Sequence, residues 1–405
     1  MSVYSVGNVK TKMLEPSTYN ENISCEWRLT EPCLPSIRLV DVGCKSQQNT
    51  QYNKLLGAYA VIRSIHLYSG QTLLDGTPNI GNWMAFKKYN KTNTTNRNLA
   101  RLLVRNQGGY KLNHRGYMTD EPVENNQAGT TDATTTAGFL PLNEYLPLLD
   151  KLNVLDPAVF KNLRLVVEFE PDRTTFLNTG NATSHNTRRP RLIYDAVAPG
   201  SFNANPPVIQ WNAIEQDRFI SPVFVKNAIT SKRVDTAKLN GFNNKMIGRL
   251  VMCKAFQNTS LNVVGGAVQG YGAYSSHAQH QEVVQVVVNG VQQLPRNGVE
   301  GGNRMLSMLH DTWGACNTLP GGANLGIVND NPKMVAQLRL YQGQQSYFGM
   351  FVNQRVKDMQ IQLTRTGLID NTARTPTNEA LNCLVYAEVS KSLILKGGEV
   401  NIVYN

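Results

Sequence analysis

The chain has 405 residues and a formal net charge of +11, with 41% hydrophobic but only 17% charged residues. That length admits two domains, each able to bury a core. The low charge density, with Asn, Gln, Thr and Ser supplying the polar surface, suits long ordered loops and large protein contacts better than a freely diffusing monomer. No apolar run is long enough to span a bilayer.

In chain order, residues 1–30 have weak pattern, carry Lys10 and Lys12, and lack the apolar core of a signal peptide; they read as a loose N-terminal arm. Alternating runs predict strands at 37–42, 60–68, 163–170 and 191–197. The stretch 119–138 is polar, Thr-rich and patternless, the mark of a long exposed loop. In "GFLPLNEYLPLLDKLNVLDPAVF" (138–160), Leu142, Leu146, Leu149 and Leu152 recur at helical spacing. A short amphipathic helix is expected there, with Asn143 as cap and Pro147 near its first turn. "APGSFNANPPVIQW" (198–211) looks like the linker. The second half predicts strands at 219–225, 248–254, 283–288, 334–341, 359–365 and 384–389, with loops at 258–281 and 366–379. The end, "LILKGGEVNIVYN" (393–405), has a glycine hinge followed by Val400, Ile402 and Tyr404 in alternation. It reads as an arm able to add a strand to another chain's edge.

Three segments recur in the same order. "FKNLRLVVEFE" (160–170) shares its frame with "VKDMQIQLTRT" (356–366), an offset of 356 − 160 = 196 residues. "LIYDAV" (192–197) matches "LVYAEV" (384–389), offset 384 − 192 = 192. "IHLYSGQTLL" (65–74) and "VVVNGVQQL" (286–294) each break at a glycine turn, Gly70 and Gly290, offset 220. Ordered recurrence means a duplicated β domain. A domain of roughly 180 residues with about eight strands has the size of a jelly roll, so the expected fold is all-β, two tandem eight-stranded jelly rolls with short helices and long loops. The expected bounds are an N-terminal arm at 1–30, a first jelly roll at 31–198, a linker at 199–215, a second jelly roll at 216–392 and a C-terminal arm at 393–405. An immunoglobulin-like pair is disfavoured because each copy is too long and shows no Cys–Trp–Cys pattern.

Catalytic signatures are missing: no GxSxG, P-loop, HExxH or EF-hand loop occurs. The glycine run "VVGGAVQGYGAY" (263–274) fails the GxGxxG test and reads as a surface loop. His277 and His280 lack a third ligand, and His66, His114, His185 and His310 are isolated. Glu168 and Glu170 share one strand face, as an acid/base pair would. The second copy has Gln362 and Thr364 there, so these carboxylates read as surface. Cys25, Cys33, Cys44, Cys253, Cys316 and Cys383 form no CxxC pair, which fits free thiols in a reducing compartment and idle acceptor sites at Asn90 and Asn258. Basic groups at Lys87, Lys88 and Lys91, at Arg97, Arg101 and Arg105, and at Arg188, Arg189 and Arg191 lack interleaved aromatics. They read as solvated loop charge, with a diffuse phosphate-facing surface as the functional alternative. No catalytic residue, metal ligand or cofactor is expected.

The segment "GFLPLNEYLPLLDKLNVLDPAVFKNLRLVVEFE" (138–170), together with "VVVNGVQQLPRNG" (286–298), resembles the double jelly-roll major capsid proteins of tailless icosahedral double-stranded DNA viruses. The nearest flavour is that of polinton-like viruses, adintoviruses and virophages, although the N-terminal Tyr/His-rich motif of the giant-virus and virophage branch is absent. The resemblance implies a homotrimer whose six barrels make a pseudo-hexagonal capsomer. It also implies contacts with neighbouring capsomers, penton and minor or cement capsid proteins. Both termini would lie at the capsomer base, facing the viral genome or an internal membrane. The location implied is the virion, after synthesis in the host cell without a signal peptide. Two rivals remain at this level. One is a double jelly-roll hydrolase acting on glycans, which would need an acidic cleft and export. The other is a lectin-like carbohydrate-binding protein, which would need aromatic-lined loops; Trp27, Trp83, Trp211 and Trp313 are not clustered in sequence.

Overall fold

The computed structural model describes residues 9–46, 61–84, 86–87, 110–112, 118–122, 140–171, 185–222, 232–256, 280–295, 298–300, 302–313, 347–367 and 380–405. Its contacts group into two compact units: 1–81, 98–215 and 389–405 in the first, and 82–97 with 216–388 in the second.

Strands dominate. Before the midpoint come β1 (Val9–Leu14), β2 (Thr18–Asn20), β3 (Ser24–Arg28), β4 (Arg38–Val40), β5 (Cys44–Ser46), β6 (Ile62–Ser69) and β7 (Thr72–Thr77). They are followed by β8 (Tyr110–Leu112), β9 (Met118–Pro122), β10 (Leu140–Pro141), β11 (Leu163–Phe169), β12 (His185–Thr187) and β13 (Arg191–Val197). Beyond it lie β14 (Val208–Ser221), β15 (Lys232–Lys238), β16 (Lys245–Phe256), β17 (His280–Val288) and β18 (Val291–Gln292). The series closes with β19 (Val299–Glu300), β20 (Tyr347–Val356), β21 (Met359–Gly367), β22 (Leu381–Lys396) and β23 (Glu399–Tyr404).

Their pairing answers what the repeat means. In the first half the two main sheets run β1-β13-β4-β10 and β3-β11-β6-β7; in the second half they run β14-β22-β16-β20 and β15-β21-β17-β18. Count the eight main strands of each half in chain order, and both halves give 1-8-3-6 and 2-7-4-5. That is one eight-stranded, two-sheet roll written twice, the double jelly roll. Strands β2, β5, β8, β9, β12, β19 and β23 are additions to this common plan.

Register confirms it residue by residue. Leu163, Leu165 and Val167 of β11 lie opposite Ser69, Leu67 and Ile65 of β6; Met359, Ile361 and Leu363 of β21 lie opposite Val288, Val286 and Val284 of β17. On the other flank, Leu29 N–H donates to Leu163 C=O as Leu239 N–H donates to Met359 C=O. The alternate side chains Leu165, Val167, Ile361 and Leu363 are all buried, as a period-2 strand over a core requires. The glycine turns differ by one place. Ser69 pairs Thr72, so Gly70 (φ +58) is the first turn residue, the pattern of a type II′ turn. Val288 pairs Val291 around Asn289 (φ +54) and Gly290 (φ +80), a type I′ turn. The structural offset is therefore 288 − 69 = 219, and Gly70 corresponds to Asn289.

Four expectations are corrected. Residues 9–30 are no loose arm: β1 pairs with β13, β3 pairs with β11, and Trp27 is wholly buried with its Nε1–H donating to Leu14 C=O (3.2 Å). Among the described residues, the first roll's strands begin at Val9. The linker of 199–215 is shorter, because β14 starts at Val208. The C-terminal arm folds back on its own chain, β23 pairing with Lys391–Lys396 across Gly397–Gly398. The helix expected in 138–160 is instead two 3-10 turns, Leu142–Glu144 and Pro147–Asp150, the second beginning at the proline that interrupts the helical pattern. Asn143 lies inside the first turn, its side chain donating to Asp150. Of the expected loop 119–138, residues through Pro122 belong to β9, and the rest lies outside the described residues, as do the expected strand 334–341 and most of the loops 258–281 and 366–379.

Candidate functional site: apolar sheet edges

Among the described residues, those that carry chemistry in the sequence are not brought together as a reactive centre. Glu168 on β11 accepts a hydrogen bond from Ser64 Oγ on β6 (2.7 Å) and faces solvent; Glu170 lies just past the strand end. His66, on β6, is held below its ordinary pKa by burial, against the pull of Glu168. His185 sits on β12, and His310 on the helix Gly302–Trp313 beside Asp311. His114 and His277 lie outside the described residues, and His280 opens β17 opposite Gly367. Among the described residues no group of three or more His, Cys, Asp or Glu could hold a metal ion.

Five thiols are core, and Cys316 lies outside the described residues. Cys25, Cys33, Cys44, Cys253 and Cys383 are buried and outside any disulfide. Burial, with the charges of Glu31 and Asp195, pushes Cys33 up to about 12, and burial likewise raises Cys25 and Cys253. Thiols held in the protonated form are poor nucleophiles and poor ligands.

The tryptophans behave in a way the sequence concealed. Trp83, Phe86, Trp313 and Tyr386 form one aromatic cluster in the second unit, with Trp83 5.4 Å from Phe86, 5.4 Å from Tyr386 and 5.8 Å from Trp313 between ring centroids. All four are buried, and Trp313 Nε1–H donates to Leu250 C=O (2.9 Å). Arg249 caps the cluster, its guanidinium 4.3 Å from the Trp313 ring and paired to Glu388. These rings are packed core rather than a stacking platform for a sugar.

Apolar side chains do reach solvent on strands that, among the described residues, pair on one side only. Among the described residues, Met13 lies on β1, Leu73 on β7, Val208 and Ile220 on β14, Val234 on β15, Val291 on β18, Phe351 on β20, and Val403 and Tyr404 on β23. Every one of these strands ends its sheet or pairs with a single neighbour. Val291 is 62% and Phe351 50% exposed. An edge strand already offers unpaired N–H and C=O groups, and monomeric proteins blunt such edges with charge or proline. Here the edges carry both the unpaired backbone and an apolar side chain, the combination that favours another protein surface. Sequence reasoning placed contacts on loops and termini and missed these edges. The available signal was an apolar residue on the solvent phase of a strand, such as Val234 within "KRVDTAK".

No family profile and no curated protein sequence matches the chain. Solved structures do. The chain superposes on PBCV-1 VP54, as fitted into a reconstruction of the virophage Sputnik, with TM-score 0.58 and 11% identity, covering 100% of this chain and 99% of that one. The fold is that of viral major capsid proteins. The mavirus major capsid protein matches with TM-score 0.55 at 10% identity, over 99% of this chain and 91% of that one. The Sputnik virophage structure matches with TM-score 0.58 at 7% identity, over 98% and 88%. Coverage near the full length on both sides means that both rolls, and not one shared barrel, carry the likeness.

Proposed function

We propose that this chain is a structural major capsid protein that forms homotrimeric, pseudo-hexameric capsomers of an icosahedral shell around a double-stranded DNA genome. The observation that carries the reading is the identical strand order of the two tandem rolls, taken with full-length superposition on capsid proteins of that plan. Duplication supplies the geometry. One chain presents two similar blocks, and three-fold symmetry then turns three chains into six blocks, close to a hexagonal tile. The apolar sheet edges supply the adhesive surface, and the role is structural rather than catalytic. Its partners are then two further copies within the capsomer, neighbouring capsomers, and penton and minor or cement proteins. The viral genome or an internal membrane lies at the base, and the chain resides in the virion.

Light scattering on purified protein at micromolar concentration tests the first step. A mass of about three chains is expected. A mass of one chain at every concentration, with no hexagonal particles by negative-stain microscopy, would sink the proposal.

A further inference from the structure

Among the described residues Asp75 is the least exposed acid, at 1% of its surface, and it lies on β7 in the first unit. Its carboxylate accepts the Leu148 N–H (2.9 Å) from the second 3-10 turn and the Gly76 N–H (3.0 Å). Trp211 of β14 is buried beside it. The indole N–H has no well-formed hydrogen bond, yet it is near enough to favour the ionised carboxylate. The neighbouring cation is Lys391 of β22, also buried, whose ammonium is bound to Glu215 of β14 (2.7 Å) and lies 4.8 Å from the centre of the Tyr404 ring on β23. Residues from four strands and one turn thus bury two carboxylates around one ammonium.

We infer that this cluster is a proton-operated clasp: taking up one proton at Asp75 tightens the hold of the C-terminal hairpin β22–β23 on β7, and losing it loosens that hold. The proton comes from water and goes to a carboxylate oxygen; no heavy-atom bond changes. With Asp75 ionised, the cluster holds two negative charges against one positive, away from solvent. With Asp75 protonated, Lys391 and Glu215 form a balanced pair. Burial raises the Asp75 carboxyl from 3.8 to about 6, overcoming the hydrogen bonds from Leu148 and Gly76, the nearby Trp211 indole N–H and the charge of Lys391. Lys391 stays charged throughout this range. Burial alone would lower its pKa, but Glu215, with Tyr404 and Asp75, raises it above the ordinary lysine value. The other groups facing Asp75 are His66 on β6, beside Gly76, whose protonated form burial disfavours against the pull of Glu168, and the turn, which presents a backbone N–H.

The hairpin is the element such a change would move. β23 packs on β7, and its outer attachment is slight: six register pairs to β22, the two glycines of the turn, and the Asn405 side chain bridging Ser390 and Ser392. A carboxyl that titrates near 6 when clasped and near 3.8 when released gives stability that is complete in acid and is lost as pH rises through 6. Between pH 5 and pH 7.5 the opening equilibrium of the hairpin should rise about tenfold.

Hydrogen exchange of the β23 amides tests this on the full chain in dispersed form, so the result is independent of whether shells assemble. Protection is corrected for intrinsic exchange rates at each pH, in wild type and in Asp75→Asn. The expected result is about a tenfold fall in wild-type protection from pH 5 to pH 7.5 and a change of less than about twofold in the variant. Equal pH dependence in both proteins overturns the inference. Should the variant not fold, carbon NMR of wild-type chain labelled at the aspartate carboxyls decides: one carboxyl titrating near pH 6 supports the clasp, and none titrating above about pH 5 refutes it.

Discussion

Replacing Trp27 by alanine tests the largest departure from the sequence reading, the incorporation of residues 9–28 into the first roll. The side chain is wholly buried on β3, and its Nε1–H reaches the Leu14 carbonyl at the end of β1, so it ties one sheet of the roll to the other. Burying an indole removes roughly 200 Å² from water, which at about 25 cal/mol per Å² is worth ~5 kcal/mol. Residual burial in the unfolded chain reduces that to about 3–4 kcal/mol. The lost hydrogen bond adds about 1 kcal/mol. We expect Trp27→Ala to destabilise by about 4 kcal/mol, and Trp27→Phe, which keeps most of the area and loses the bond, by about 1–2 kcal/mol. Guanidinium unfolding followed by far-UV circular dichroism, at equal chain concentration, reads both. If Trp27→Ala falls within about 1 kcal/mol of wild type, the segment is not packed as described and the roll does not begin at Val9.

Three further outcomes are expected. Gly349→Ala should cost about 1–3 kcal/mol, because the added methyl would lie 2.8 Å from Leu309 Cδ1 and 3.0 Å from the Trp313 ring; thermal unfolding checks it. Arg249→Met should cost about 2–3 kcal/mol in chemical denaturation, since it leaves the mostly buried Glu388 carboxylate unpaired and removes the cation over Trp313, while the double change with Glu388→Gln should recover part of the loss. Val234→Lys and Val291→Lys, on exposed edges, should leave the melting temperature within a degree or two (about 0.5 kcal/mol) but lower the yield of trimers or shells by light scattering; unchanged assembly from the double variant would remove the edges from the argument.

The duplication was legible because it lives in period-2 burial. Leu165, Val167, Ile361 and Leu363 had to be apolar in both copies to cover two cores, and that constraint is written along one strand at a time. What stayed hidden depended on partners distant in sequence. In β1, "VKTKML", Lys10 and Lys12 alternate with Thr11 and Met13, so the run reads as polar, although β13 pairs every residue of it. In β23 the alternation was readable as a strand, but spacing cannot say whether the edge it joins belongs to the same chain. Leu142, Leu146, Leu149 and Leu152 are buried as a helix would bury them; Pro147 only moves the backbone into two short turns that deliver the same face. Asp75 sits in "TLLDGT", which resembles a hairpin turn, and nothing local marks it as the acid that Leu148, Trp211 and Lys391 surround.

The two hairpins opposite β11 and β21 carry a consequence for how such a chain ages. Gly70–Gln71 and Asn289–Gly290 close loops of equal length between strands in equivalent register, yet they do so with different backbone twists and with the glycine in different places. Slipping either strand by one residue would turn a whole buried face outward, whereas exchanging one primed turn for the other leaves every cross-strand neighbour where it was. Drift after duplication is therefore free at the bend and forbidden along the ladder. A comparison between the halves should count pairing partners, because matching letters at the turn places the copies one residue out of step.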